Sequence, residues 1–134
     1  MNKTTKENLL SAMHGEAFAY AKYMLYAERA RQNGNCELAQ LFENIAGQER
    51  LEHFAEQAEL AGLVGTDADN INDAIQGESY EVETMYRDYA KQAADAGEQA
   101  ASDRFAEIRQ DEMKHRDRFK AALANLSGDS KRAA

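Results

Sequence analysis

Apolar and small residues recur at helical spacing in four blocks of this 134-residue chain. The first block carries Leu9, Met13, Tyr20, Tyr23, Ala27 and Ala30 and predicts a helix over 5–33, stopped at "QNGN", where Gly34 suits a C-terminal cap. The second, with Leu38, Phe42 and Ile45, predicts a helix over 36–61. After "GLVGTDAD", Ile71, Ile75, Val82, Met85 and Tyr89 predict a third over 70–96. Phe105, Ile108, Phe119, Leu123 and Leu126 predict a fourth over 98–126, followed by a fraying tail over 127–134. The expected architecture is all-α, with residues 1–134 in a single domain.

Laid on itself, the chain repeats. At an offset of 63, Tyr23, Tyr26, Ala27, Ala30, Gly34, Phe42, Ile45 and Glu49 fall on Tyr86, Tyr89, Ala90, Ala93, Gly97, Phe105, Ile108 and Glu112. At both flanks the offset becomes 62: Asn8, Ala12, Gly15 and Glu16 fall on Asn70, Ala74, Gly77 and Glu78, and His53 falls on His115. The pattern is that of a duplicated helical hairpin with one extra residue in the second helix and one in the third.

Composition agrees with helix: proline is absent, and alanine, glutamate, leucine, glutamine and arginine abound. A formal charge of −8 argues against nucleic acid as a partner, since nothing would release counterions from phosphates. The uncharged runs are too short to cross a bilayer, and "MNKTTKENLL" lacks the apolar stretch of a signal peptide, so a cytoplasmic setting is expected. Cys36 is the only cysteine, which excludes an internal disulfide, a Cys-x-x-Cys site and a dithiol redox pair.

Charge also changes the reading of the helices themselves. Along the fourth helix the inward positions step by three and four through 105, 108, 112, 115, 119, 123 and 126, so Glu112 and His115 interrupt an apolar stripe. Glu16 does the same between Met13 and Tyr20, Glu49 after Ile45, and Glu78 after Ile75. Four unpaired carboxylates at equivalent inward positions would each cost several kcal/mol and raise one another's cost. No lysine or arginine shares their stripes. Two metal ions would neutralise them, and carboxylate oxygens with one or two imidazoles suit iron or manganese. One glutamate from each of two helices, with Glu-x-x-His from the others, is the dinuclear arrangement of ferritin-like bundles.

The second helix presents a choice of register. In "GQERLEH" an unbroken α-helix would follow Glu49 with Glu52 on the metal face and turn His53 about 100° away. Continuing from Glu52 points Glu56 and Glu59 inward; continuing from His53 points Gln57 and Leu60 inward, which is less costly. One inserted residue absorbed as a single-turn π-bulge joins the two registers, and the same device explains the slip in the third helix near Glu81. Glu49 and His53 are therefore favoured as the pair, with Glu52 as an additional or replacement ligand. His14, off the stripe, is expected to be solvated or to lie behind a ligand.

"GEAFAYAKYMLYAERA", "GESYEVETMYRDYA" and "FAEIRQDEMKHRDRF" resemble the helices of rubrerythrins, from about residue 7 to 126. The resemblance implies a ferritin-like four-helix bundle holding two iron ions, with Glu16, Glu49, Glu78, Glu81, Glu112 and His115 matching ligands. It implies that Tyr23 and Tyr86 hydrogen-bond ligand carboxylates. It also implies a non-haem di-iron peroxidase that reduces hydrogen peroxide to water and protects against oxidative stress. Two departures stand out: the rubredoxin-like domain has no counterpart here, and the second helix lacks the usual Glu-x-x-His. An external electron donor, such as a rubredoxin-like protein, is then expected. A ferroxidase or oxidase using dioxygen, and a non-catalytic iron-binding bundle, are the alternative readings of the same ligands.

Chain length bears on how such a bundle closes. If the second and third helices run parallel, the connection must climb about 30 Å along the bundle and cross about 10 Å between axes. Residues 62–69 fully extended reach only about 30 Å. A homodimer that exchanges hairpins, each site built from both chains, is the expected solution.

Overall fold

A computed structural model describes the backbone of residues 1–132 and the side chains of residues 1–126. The described residues are helical throughout apart from short turns. Helix α1 spans Lys3–Gln32. The second long helix is composite: α2 (Cys36–Gln48), a first π turn (Glu49–Phe54) and α3 (Ala55–Ala61). The third repeats that construction with α4 (Asp67–Tyr80), a second π turn (Glu81–Met85) and α5 (Tyr86–Asp95). Helix α6 spans Gln99–Arg132.

Local chemistry sets these limits. Asn2 and Asn35 cap α1 and α2 by accepting from the amides of Thr5 at 2.8 Å and Leu38 at 3.1 Å. The third helix begins three residues before the expected 70, because Thr66 and Asp69 form a reciprocal capping box inside a stretch that composition marks as loop. Helix α6 runs past the expected end at 126: a lone glycine such as Gly128 costs a helix about 1 kcal/mol and does not stop it. Of the expected tail, Ala133 and Ala134 lie outside the described residues.

The chain divides into two compact units, one of residues Met1–Val64 and one beginning at Gly65. In the first, α1 packs on α2, the first π turn and α3; in the second, α6 packs on α4, the second π turn and α5. Small residues permit close helix approach in each. Ala27, Ala30 and Ala39 are buried with Phe42 packed against them. In the second unit Val82 and Ala93 are buried, and the buried Ser102 donates its hydroxyl to the Ala90 carbonyl at 2.8 Å.

The two units carry the same internal details. Ring centroids of Tyr23 and Tyr26 lie 6.0 and 5.4 Å from that of Phe42, and those of Tyr86 and Tyr89 lie 6.1 and 5.7 Å from that of Phe105. Both first helices end on a left-handed glycine, Gly34 at φ 77° and Gly97 at φ 78°. In both turns the next amide returns to a buried alanine carbonyl at 2.9 Å, Asn35 to Ala30 and Glu98 to Ala93. The duplication read from residue identities is thus a duplication of structure. Among the described residues, no helix is long and apolar enough to cross a membrane.

Candidate metal centre

Each unit gathers two glutamates and a histidine at one place. Glu16 projects from α1, and Glu49 and His53 from the first π turn; Glu78 projects from α4, and Glu112 and His115 from α6. Within each trio one potential ligand atom per residue lies within 4.8 Å of the others. Nδ1 of His53 stands 2.8 Å from Glu49 Oε2 and 4.0 Å from Glu16 Oε1. Nδ1 of His115 stands 2.7 Å from Glu112 Oε2 and 3.8 Å from Glu78 Oε1. The two clusters are near copies, although one pair is spaced by four residues and the other by three.

The π turn accounts for that equality. Its wider winding lets His53 return to the face of Glu49. Of the residues beyond, Gln57 is half-buried, as the His53 register requires, and Glu56 and Glu59 are exposed, but Leu60, which the same register points inward, is exposed as well. Glu52 is exposed and stands outside the trio, close enough for its charge to favour protonated His53. His14 is exposed and belongs to neither cluster.

Glu81 opens the second π turn. It is half-buried beside the second trio without joining it, and burial, followed by the Glu112 charge, holds its carboxyl above the ordinary range. Positions 18 and 19, which the repeat aligns with it, are Phe and Ala, so the first cluster has no equivalent carboxylate. Tyr86 senses the second cluster: burial and then the charges of Glu81, Glu112 and Glu78 push its phenol up. Tyr23 is half-buried against Phe42.

Proton sharing inside the clusters follows from crowding of like charges. The hydrogen bond from Glu49, then burial and the Glu49 charge, raise Glu16. Glu49 is lowered by the same shared bond and by His53. His53 is raised, chiefly by its hydrogen bond to Glu49. In the second cluster burial, followed by the bond to Glu112, raises Glu78.

The donor sets fit hard or borderline metal ions such as iron, being oxygen-rich with one imidazole each. Two further observations agree. Glu78 Oε2 is buried and has no hydrogen-bond partner, a state that costs free energy unless something positive faces it. Among the described residues, no lysine or arginine forms an ion pair with Glu16, Glu49, Glu78, Glu81 or Glu112. A cavity of about 450 Å³ adjoins the second cluster, lined by Glu78, His115, Arg118, Phe119 and Ala122. Arg118 was not singled out by periodicity; its place three residues after His115 on α6 was the available signal.

Comparison with known proteins identifies the family of the chain. The rubrerythrin family model matches residues 7–55 and 48–123. Rubrerythrin of Porphyromonas gingivalis is 31% identical over an alignment spanning 97% of this chain and 74% of that protein. Nigerythrin of Nitratidesulfovibrio vulgaris is 31% identical over 92% of this chain and 67% of its own length. The structure of fully reduced, all-ferrous nigerythrin aligns over 95% of this chain and 69% of that one, at 28% identity and a TM-score of 0.48. A family model covering both hairpins and a relative at this identity over nearly the whole chain place this protein in the rubrerythrin family.

Proposed function

We propose that this protein is a non-haem di-iron peroxidase that reduces hydrogen peroxide to water. The observation that carries the reading is the pair of near-identical Glu/Glu/His clusters, whose carboxylates form no ion pair with lysine or arginine among the described residues, in a member of the rubrerythrin family. Glu16, Glu49 and His53 would hold one iron ion, and Glu78, Glu112 and His115 the other, with Glu81 beside the second. When bound, two ferrous ions supply the two electrons that, with two protons, convert one peroxide into two waters.

The chain's own groups prepare that chemistry. Glu16, His53 and Glu78, whose affinity for protons the metal-free clusters raise, bind metal only in their deprotonated forms, so metal and protons compete at these groups. Glu81, outside the trio and raised by burial, is a carboxyl able to take or return a proton next to the reacting atoms. Tyr86, whose phenol feels the charges of Glu81, Glu112 and Glu78, would orient the second cluster's carboxylates once metal is bound, and Tyr23, by the family resemblance, would do so in the first. Glu52 remains outside, as a charge that favours protonated His53.

A single exposed cysteine and no dithiol leave the re-reduction of iron to an external donor, such as a rubredoxin-like protein.

The functional domain is a four-helix bundle assembled in a homodimer by exchange of hairpins. The element limits support this. Only residues 62–66 connect α3 to α4, an extended reach of about 18 Å. Returning from the end of α3 to the level of Glu49, and matching it to Glu78, takes about 35 Å of helix length. Leu60, on the His53 face, is 64% exposed in the single chain, as expected of a residue that a second copy covers.

Anaerobic iron loading followed by titration with peroxide tests the function. Two irons per pair of clusters, oxidised rapidly by one equivalent of peroxide and far more slowly by air, is the expected result. Faster oxidation by air would make the protein an oxidase, and failure to take up iron would remove the enzymatic reading altogether.

A further inference from the structure

The second π turn leaves one backbone carbonyl without a helical partner. The amide of Tyr86 reaches back five residues to the Glu81 carbonyl, and α5 then resumes the four-residue reach of an α-helix. In passing from one reach to the other, the ladder skips the carbonyl of Val82. Val82 is only 3% exposed, so its carbonyl depends on a donor from the protein. Arg109 supplies it: its Nε donates to the Val82 carbonyl at 2.7 Å from the neighbouring α6. Seven residues on, and therefore on the same face of α6, Arg116 donates from Nη1 to Glu83 Oε1 at 3.2 Å, with its side chain only 15% exposed.

We propose that Arg109 is a positioning residue: its guanidinium takes the carbonyl that the π turn leaves over, and so holds Glu81 at the register that brings it beside Glu78, Glu112 and His115. Without the bulge, residues 86–95 would rotate by about 100°, taking Tyr86 and Tyr89 off Phe105 and turning Ala93 out of the helix contact. Packing therefore demands the bulge, and Arg109 closes its open bond. The first hairpin has no such brace. The position equivalent to Arg109 there is Ala46, which is fully buried, and there is no carboxylate corresponding to Glu81 to be held. Between the first helices of the two hairpins, the unbroken α1 and the composite α4–α5, the difference is thus a bulge, a carboxylate and an arginine partner that occur together.

The role given to Glu81 rests on the proposed metal centre; the brace itself does not, and the two are separable. In the metal-free full-length protein, Arg109→Met should speed hydrogen exchange of the Tyr86 amide about tenfold or more. Arg109→Lys, which retains a donor and the charge, should restore part of the protection. Arg104→Met, which removes only a surface pair with Glu107, should change nothing there. A folded Arg109→Met protein with unchanged Tyr86 exchange overturns the proposal. Should that variant not fold, scalar coupling across the hydrogen bond from Arg109 Nε to the Val82 carbonyl in the unmodified chain decides, its absence being the contrary result. In protein loaded with Co²⁺, Arg109→Met should alter the visible bands in the same sense as Glu81→Gln, and the double variant should add little. If exchange responds but neither variant moves the Co²⁺ spectrum, the brace stands and the assignment of Glu81 to the metal centre fails.

Discussion

Nδ1 of His53 lies 2.8 Å from Oε2 of Glu49, four residues earlier in the chain. The corresponding contact between His115 and Glu112, three residues apart, is 2.7 Å. Equal geometry from unequal spacing requires that one residue be wound out of the helix, and the π turn over Glu49–Phe54 is where that happens. Deletion of Leu51, which is 68% exposed, should therefore be tolerated. It converts "ERLEH" to a Glu-x-x-His spacing, leaves Gln57 and Ala58 in register with His53, and removes only the bulge. Helicity by circular dichroism and metal stoichiometry should both persist; loss of one metal site from a fully helical deletion variant would show that the bulge itself is needed.

The ligands should be unequal in their replaceability. Glu112 stands at hydrogen-bonding distance from His115 and shares a bond with Glu78, so it touches both other members of its cluster. Glu112→Ala should lose metal from that cluster and at least tenfold in peroxide reduction, while Cys36→Ser, at an exposed position that belongs to neither cluster, should change neither. Elemental analysis after iron loading is the measurement, and two retained metals in the Glu112 variant would remove it from the site.

Stability of the metal-free protein should fall as pH rises from 6 to 8.5. Folding raises His53 above its ordinary 6.5 through the bond to Glu49, so the folded state binds that proton more tightly than the unfolded chain does. This contribution is fully present below 6.5 and is lost as pH rises through the folded value. Glu16, Glu78 and Glu81, raised from 4.5, act in the same sense over the window that begins at that value. Glu49, lowered from 4.5, acts oppositely but only below it. Thermal melts of chelator-treated protein at the two pH values check the sign. His53→Gln should flatten the dependence, and bound metal should reverse it, since metal uptake releases the same protons.

Hairpin exchange is open to a complementation test. A chain carrying Glu16→Ala and Glu49→Ala, refolded with one carrying Glu78→Ala and Glu112→Ala, should yield mixed dimers in which one site takes all its ligands from intact hairpins. Each variant alone should be inactive, and the mixture should recover a fraction of wild-type iron binding and peroxide reduction. Light scattering should give twice the 15.0 kDa chain mass. An inactive mixture of folded, dimeric chains, or a metal-loaded monomer, would refute exchange.

The one-dimensional pattern carried a large part of this protein's structure. Four helices, the equivalence of the two hairpins, and inward carboxylates at 16, 49, 78 and 112 follow from periodicity, because a helix converts spacing into direction while its winding is constant. Even the places where winding changes were visible, as slips in the offset between Tyr23/Tyr86 and His53/His115. What periodicity left open was the outcome at each slip. Spacing favours His53 over Glu52 as the partner of Glu49 without excluding Glu52; the π turn, with Gln57 half-buried and Ala58 buried beyond it, brings His53 to Glu49 and Glu16 and leaves Glu52 outside the trio. The Arg109 contact lay further out of reach. A skipped carbonyl is not a residue type, and its need for a donor arises only once the π turn has formed and a second helix, 27 residues away in sequence, lies against it. Direction along a helix is a local property that sequence states; the satisfaction of a backbone group buried between helices is a tertiary one.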